Sequence, residues 1–194
     1  NKFENRKIWC ASSTHPSEEY FCAEAHLKLK QTFKDILTII IPRHIHRIKK
    51  INRELSALNL KVVLYSNLNQ MNFNTDILLV DVYGETSKFF NISKCVFLGG
   101  SIIEHGGQNP IEPSRLDSKI FHGAHITNFT EIYKYLESLG IAQQINTSDQ
   151  LALAISKEFI SNNLNNSQIS KKIDNYGDEI LNKVIKEIKI YINT

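Results

Sequence analysis

Short runs of apolar, often β-branched residues recur along the chain, each followed by a stretch with helical spacing, and this alternation restricts the fold more than any other feature. Residues 36–41 are apolar at five of six positions and are closed by Pro42. A strand with one wet face alternates in polarity, whereas a run like this suits a strand covered on both faces, as in a parallel sheet between helices. Ahead of it, residues 7–13 read as a short strand and 17–30 as a helix, with Tyr20, Ala23, Leu27 and Lys30 three or four apart. After it the pattern predicts a helix over 45–58, strands over 61–65, 77–82 and 95–98, a short helix over 111–116 and a last core strand over 119–122. Helices then dominate. Asn128 is expected to cap one that runs through Leu139, and Ser148 another that runs to about residue 161. A polar patch at 162–167 precedes a final helix over 168–192, with the stripe Ile169, Ile173, Ile180, Val184, Ile188 and Tyr191. The expected architecture is an α/β, Rossmann-like, three-layer domain with a mostly parallel sheet.

In such folds ligands gather beyond the carboxyl ends of the strands, and the polar motifs fall there: residues 12–19, 42–47, 84–85, 99–112 and 123–129. The richest is GGSIIEHGGQNPIEP at 99–113, where a strand ends in paired glycines and a second pair, Gly106 and Gly107, precedes a helix start. Glycine amides and an opening helix can cradle a phosphate, and Glu112 on the first turn can accept from ribose or sugar hydroxyls. An ordinary tight turn explains the glycines equally well and stays open at this point.

Composition narrows the classes. The 194 residues are 42% hydrophobic, enough for one domain with a real core, and the formal charge of +3 comes without a dense basic run, which argues against nucleic acid. Cys10, Cys22 and Cys95 sit in apolar surroundings with no CxxC pair, so they read as reduced, buried thiols. No apolar run approaches the length of a membrane span, and the chain is expected to be soluble by itself. It begins with Asn in place of Met and enters a strand almost at once, as the downstream part of a longer protein would.

Five loop motifs in order, ASSTHPSEE at 11–19, IIIPRHIHR at 39–47, VDVYGET at 80–86, FLGGSIIEHGGQNPIEP at 97–113 and HGAHITNF at 122–129, make the chain resemble the C-terminal, donor-binding half of the bacterial 3-deoxy-D-manno-octulosonic acid (Kdo) transferases. The resemblance spans residues 8 to about 160. It implies one half of a GT-B glycosyltransferase that transfers Kdo from CMP-Kdo to a lipid A precursor in lipopolysaccharide biosynthesis. Configuration is inverted, and neither a cofactor nor a metal is required. It further implies that the catalytic base and the contact with the cytoplasmic face of the inner membrane belong to an N-terminal acceptor domain absent from this sequence. This domain should therefore be inactive alone. Five positions depart from the pattern: Ser17 where glycine is expected, Ile45 for proline, Thr86 for leucine, Gln108 for histidine and Ala124 for proline. A donor domain of the same class that uses a UDP-sugar, and a nucleotide-sugar module without catalysis, are the competing readings.

Each candidate has its own chemistry. Arg43 and Arg47 offer paired donors to phosphate or carboxylate and would project from one helix start. Gly106, Gly107 and Asn109 would stabilise charge on a departing phosphate, and Glu112 would bind ribose. Ser13, Thr14, His15 and Glu18 lie where the first strand meets its helix; a capping box formed by Thr14 or Ser17 with a glutamate accounts for part of that motif but does not require His15. Gly84 and Glu85 would wall the nucleotide pocket. His125 and Asn128 would shape their loop, with a ligand contact from His125. The histidines of these loops lack the tight local spacing of a zinc site, so no metal site is expected.

Overall fold

The computed structural model describes residues 2–161, 171–177 and 185. Seven strands, β1 (Lys7–Thr14), β2 (Ile36–Pro42), β3 (Val62–Leu64), β4 (Ile77–Leu79), β5 (Cys95–Leu98), β6 (Lys119–His122) and β7 (Ala142–Gln144), form one sheet in the order β3-β4-β2-β1-β5-β6-β7. Every pairing is parallel. The helices are α1 (Glu18–Thr32), α2 (Ile48–Ala57), α3 (Thr86–Ile92), α4 (Ile111–Arg115), α5 (Thr130–Ser138) and α6 (Ser148–Ile160). The expected α/β, Rossmann-like class is therefore the observed one.

Alternation along the strands sorts the core into two layers. Trp9, Ala11, Ile36 and Ile40 face one way, against Cys22, Ala23, Ile51, Leu55 and Ile155 of α1, α2 and α6. Ile8, Cys10, Leu37 and Ile39 face the other, against Phe89, Phe90, Tyr133 and Leu136 of α3 and α5. All seven residues of β2 are buried, Thr38 included, as a strand covered on both faces requires. The three cysteines are buried and unpaired.

Several local expectations are corrected. The buried face of α1 is Cys22, Ala23, Ala25, His26 and Leu29, while Tyr20 and Leu27 are partly exposed. Because α1 is wedged between the sheet and α6, small residues line its inner face. β7 lies outside β6 and α3 fills the span after Gly84; both are too short and too polar on one side to announce themselves. Asn128 does not cap α5: it sits inside a 3-10 turn over Thr127–Phe129, and its Nδ2 donates to the His105 carbonyl at 3.4 Å. The cap of α6 is Thr147, whose hydroxyl accepts from the Gln150 amide at 3.2 Å, one residue before Ser148. Ser17 precedes α1 without capping it, at φ 77°, a left-handed conformation that explains why the resemblance expects glycine there.

Of the final helix expected over 168–192, residues 171–177 are helical, while Ile169, Ile180, Val184, Ile188 and Tyr191 lie outside the described residues, as does the patch at 162–167. The described turn packs on its own domain: Ile173 is buried, Tyr176 stacks on Tyr135 at 4.0 Å and Arg115 pairs with Asp174 at 2.8 Å. Among the described residues no helix is long and apolar enough to cross a membrane.

The amino end of the sheet is held by charge. Asp76 accepts from the Lys61 amide at 2.9 Å and also bonds Lys30, while His26 stands 3.5 Å away with its Nδ1 2.8 Å from Thr38. Burial works against the Asp76 carboxylate, yet these donors hold its pKa well below the usual range.

Candidate functional site

β1 is flanked by β2 and β5, and the chain winds outward from it in both directions. The loops that leave β1 and β5 therefore diverge, opening the crevice where ligands of this fold class sit. The two loops are stapled together by Glu18. Its carboxylate is fully buried and accepts four backbone amides: His15 at 2.9 Å, Gly100 at 2.7 Å, and Ser101 and Ile102 both at 3.1 Å. No lone pair remains for a ligand, so Glu18, expected at the ligand, instead fixes the backbone of the crevice. Gly99 makes the approach possible: a Cβ there would lie 2.7 Å from Thr14 Cα and 2.8 Å from Glu18 Oε2. Ser13 closes the same junction through a bulge at φ 55°.

The two arginines separate in role. Arg47 forms a fork with Glu19, Nη1 to Oε1 at 2.8 Å and Nη2 to Oε2 at 2.9 Å, and Glu19 also accepts from the Thr14 hydroxyl at 2.8 Å. The expected helix over 45–58 begins instead as a 3-10 turn at Ile45–Arg47, with α2 following, and this turns Arg47 inward. The expected pair of projecting guanidiniums is thus corrected to one. Arg43 is exposed, has no ion-pair partner among the described residues, and is anchored by its amide to the Thr14 carbonyl at 3.0 Å.

Histidines gather beside it. The His15 ring lies 4.0 Å from His105 and 6.1 Å from His44, which stacks on His46 at 5.5 Å. His15 is 6% exposed, and its Nε2 has no hydrogen-bond partner among the described residues. Burial first, then the neighbouring His105, His44, Arg47 and Arg43, lowers its pKa to about 4. His26 and His122 are lowered as well, chiefly by burial. Among the described residues no three His, Cys, Asp or Glu side chains are grouped to hold a metal ion.

A folded imidazole that resists protonation costs stability when the unfolded chain takes a proton. Above the ordinary pKa of 6.5, His15 is neutral in both states; as pH falls toward about 4 only the unfolded state charges, so stability is lost across that window. Denaturation at pH 7 and pH 5 should differ by about 2 kcal/mol from His15 alone. His15→Asn should flatten that difference, leaving the part contributed by His26 and His122.

The second glycine pair is buried and internally committed. The Gly107 amide donates to the Gly100 carbonyl at 2.8 Å, and Gly106 accepts from the Asn128 amide at 3.1 Å. Both have positive φ, 96° and 78°, and a Cβ on Gly106 would meet the Asn128 side chain. Of the expected phosphate cradle at 106–107, the Gly107 amide is already bonded within the loop, and α4, at five residues, contributes little dipole. His125 is tied to the same loop through its amide, 2.9 Å from the Ser101 carbonyl. Ser101, unremarked in sequence, is fully buried and ties the β5 loop to the β6 loop, accepting from the Gly123 amide at 2.8 Å. A single serine after a glycine pair carries no periodic signal that would have marked it.

Farther along the rim, Asn109 and Glu112 face α3 across a cleft of about 360 Å³ that is also lined by Ser87, Asn91, Ile111, Arg115 and Leu116. Asn109 Oδ1 accepts from the Ile111 amide at 3.0 Å, which opens α4, and Ser87 Oγ donates to Glu112. Glu85 is committed to Lys88 at 2.9 Å and takes a 3.4 Å bond from the Tyr65 hydroxyl, while Gly84 has open space around it at φ 85°. A larger, mostly apolar cavity of about 530 Å³ lies between α4, α5 and the 171–177 turn, with Asn128 at its edge. The structure therefore brings Ser13, Thr14, His15, Glu18, Arg43 and Arg47 to the crevice, places Gly106, Gly107, His125 and Asn128 behind it as support, and sets Asn109 and Glu112 apart in the α3–α4 cleft.

This arrangement has relatives. The chain is 31% identical over 179 residues to a 3-deoxy-D-manno-octulosonic acid transferase of Haemophilus influenzae, covering 92% of this chain and 41% of that one. The transferase of the same name from Rickettsia prowazekii is 28% identical over 194 residues, covering 97% of this chain and 42% of the relative. The chain is thus similar to Kdo transferases along nearly its whole length. It spans about two fifths of the length of these curated Kdo transferases. No family model matches it. Its fold is that of the C-terminal CMP-Kdo binding domain of WaaA from Acinetobacter baumannii, with a TM-score of 0.80 at 24% identity over 89% of this chain and 90% of the other. A bifunctional glycosyltransferase/methyltransferase of Fusobacterium nucleatum is 29% identical, covering 97% of this chain and 29% of its own length.

Proposed function

We propose that this chain is the donor-binding domain of a Kdo transferase: it holds CMP-Kdo while a partner acceptor domain presents the hydroxyl of a lipid A precursor. The observation that carries the reading is the crevice between β1 and β5, where the only arginine freed by the fold, among the described residues of the β1 and β2 loops, stands at the mouth. The similarity to Kdo transferases and to a CMP-Kdo binding domain supplies the ligand class. In this reading Arg43 takes the phosphate or the sugar carboxylate by paired hydrogen bonds, and Glu112 takes the ribose. Charge that builds on the CMP phosphate as the glycosidic bond breaks would be met by the Arg43 guanidinium, and an interaction that strengthens with that charge favours the transition state over the ground state. The departing group is a nucleoside monophosphate, so we place no metal at the site. The general base, inversion at the anomeric carbon and attachment to the cytoplasmic face of the inner membrane would reside in, or require, the acceptor half.

Calorimetric titration with CMP, CDP, UDP and GDP, with and without magnesium, tests this. CMP-selective, magnesium-independent binding is the expected result; preference for UDP would replace the Kdo assignment with another sugar nucleotide, and binding of none would favour a module without a working donor site. Arg43→Ala should weaken CMP about tenfold while leaving the melting temperature within a degree or two, since its side chain supports no other group.

A further inference from the structure

We propose that Ser87 is the positioning residue for Glu112, aiming its carboxylate at the ribose of a nucleotide in the cleft between α3 and α4. The inference rests on the donor-site reading and assigns a role to a helix that the motifs do not mark.

Glu112 is exposed on the first turn of a five-residue helix and has no cation partner among the described residues. Left alone, such a side chain would sample several rotamers and pay entropy whenever a ligand ordered it. Ser87 reaches it from the opposite wall and occupies Oε1, which holds the carboxylate in one orientation and leaves Oε2 to accept from a hydroxyl. The wall is rigid. The Ser87 carbonyl accepts from Asn91 Nδ2 at 3.0 Å, and the next turn of α3 is anchored by Phe89 and Phe90, which are 1% and 3% exposed. The cleft volume of about 360 Å³ falls within the range of small-molecule sites, and Ser87, Asn91, Asn109 and Glu112 place polar groups for a sugar hydroxyl in a lining that also includes Ile111 and Leu116.

The test is a ligand and variant cycle: CMP and 2′-deoxy-CMP are titrated into the unaltered chain, Ser87→Ala and Ser87→Thr. The unaltered chain should prefer CMP by about tenfold, a single charge-assisted hydrogen bond. Ser87→Ala should weaken CMP about fivefold with little effect on 2′-deoxy-CMP, and Ser87→Thr, which keeps the hydroxyl, should restore the preference. Equal weakening of both ligands, or no weakening, overturns the positioning role. An unaltered chain that binds both ligands equally overturns the carboxylate's role together with it. An unaltered chain that binds neither removes the donor-site reading itself, a result distinct from every outcome in the variants.

Discussion

Glu18→Gln should lower the unfolding free energy by about 4 kcal/mol, the largest effect of any single polar substitution at the crevice. The carboxylate of Glu18 accepts amides from both crevice loops, His15 on one side and Gly100, Ser101 and Ile102 on the other. A glutamine keeps one acceptor oxygen and turns an NH2 group toward N–H donors. At least two buried amides then lose their partner in a place where water cannot replace it, at about 1–3 kcal/mol each, with N–H facing N–H in addition. Urea denaturation followed by circular dichroism measures the loss. A variant that keeps its stability while losing nucleotide binding would return Glu18 to the ligand side of the site.

Gly99→Ala should cost about 3 kcal/mol or more, for a reason that has nothing to do with charge. The added Cβ would stand 2.7 Å from Thr14 Cα and 2.8 Å from Glu18 Oε2, and closer still to the Ser13 carbonyl. Two of these are backbone atoms and the third is a carboxylate oxygen locked by backbone amides, so β1 and β5 must separate to admit the methyl. The strands pair directly, with Ser12 opposite Leu98, and separation would break the ladder next to the crevice. Gly177→Ala is the matched control: nothing among the described residues lies within 4 Å of a Cβ there, and the same denaturation experiment should find it near neutral. A tolerated Gly99→Ala would mean that the loop junction is softer than its contacts imply.

Both effects arise at contacts between segments distant in sequence, and this marks what could be read early and what could not. Apolar runs read along the chain as strands because burial on both faces demands apolar residues at successive positions; β5 and β6 match the expected bounds 95–98 and 119–122. β7 and α3 escaped because β7 is three residues long with two exposed positions, and α3 is seven residues with five at least partly exposed, too few turns for either period to show. The site was legible as a set of loops. Its division of labour was not, since Arg43 and Arg47 look alike in PRHIHR and Glu18 and Glu19 look alike in SEEY.

The order of residues by itself determined the α/β class, the buried strands and the five strand-end loops, because local polarity patterns respond to which faces water reaches. Only the tertiary structure decided which charged groups remain for a ligand. Glu18 is consumed by the β5 loop, Arg47 by Glu19 and the Gly107 amide by Gly100, whereas among the described residues Arg43 and one oxygen of Glu112 stay open. A hydrogen-bonding group is a site residue only if the fold leaves it unspent, and its partners here lie 28 residues away for Arg47 and 82 for Glu18, beyond the reach of any pattern along the chain.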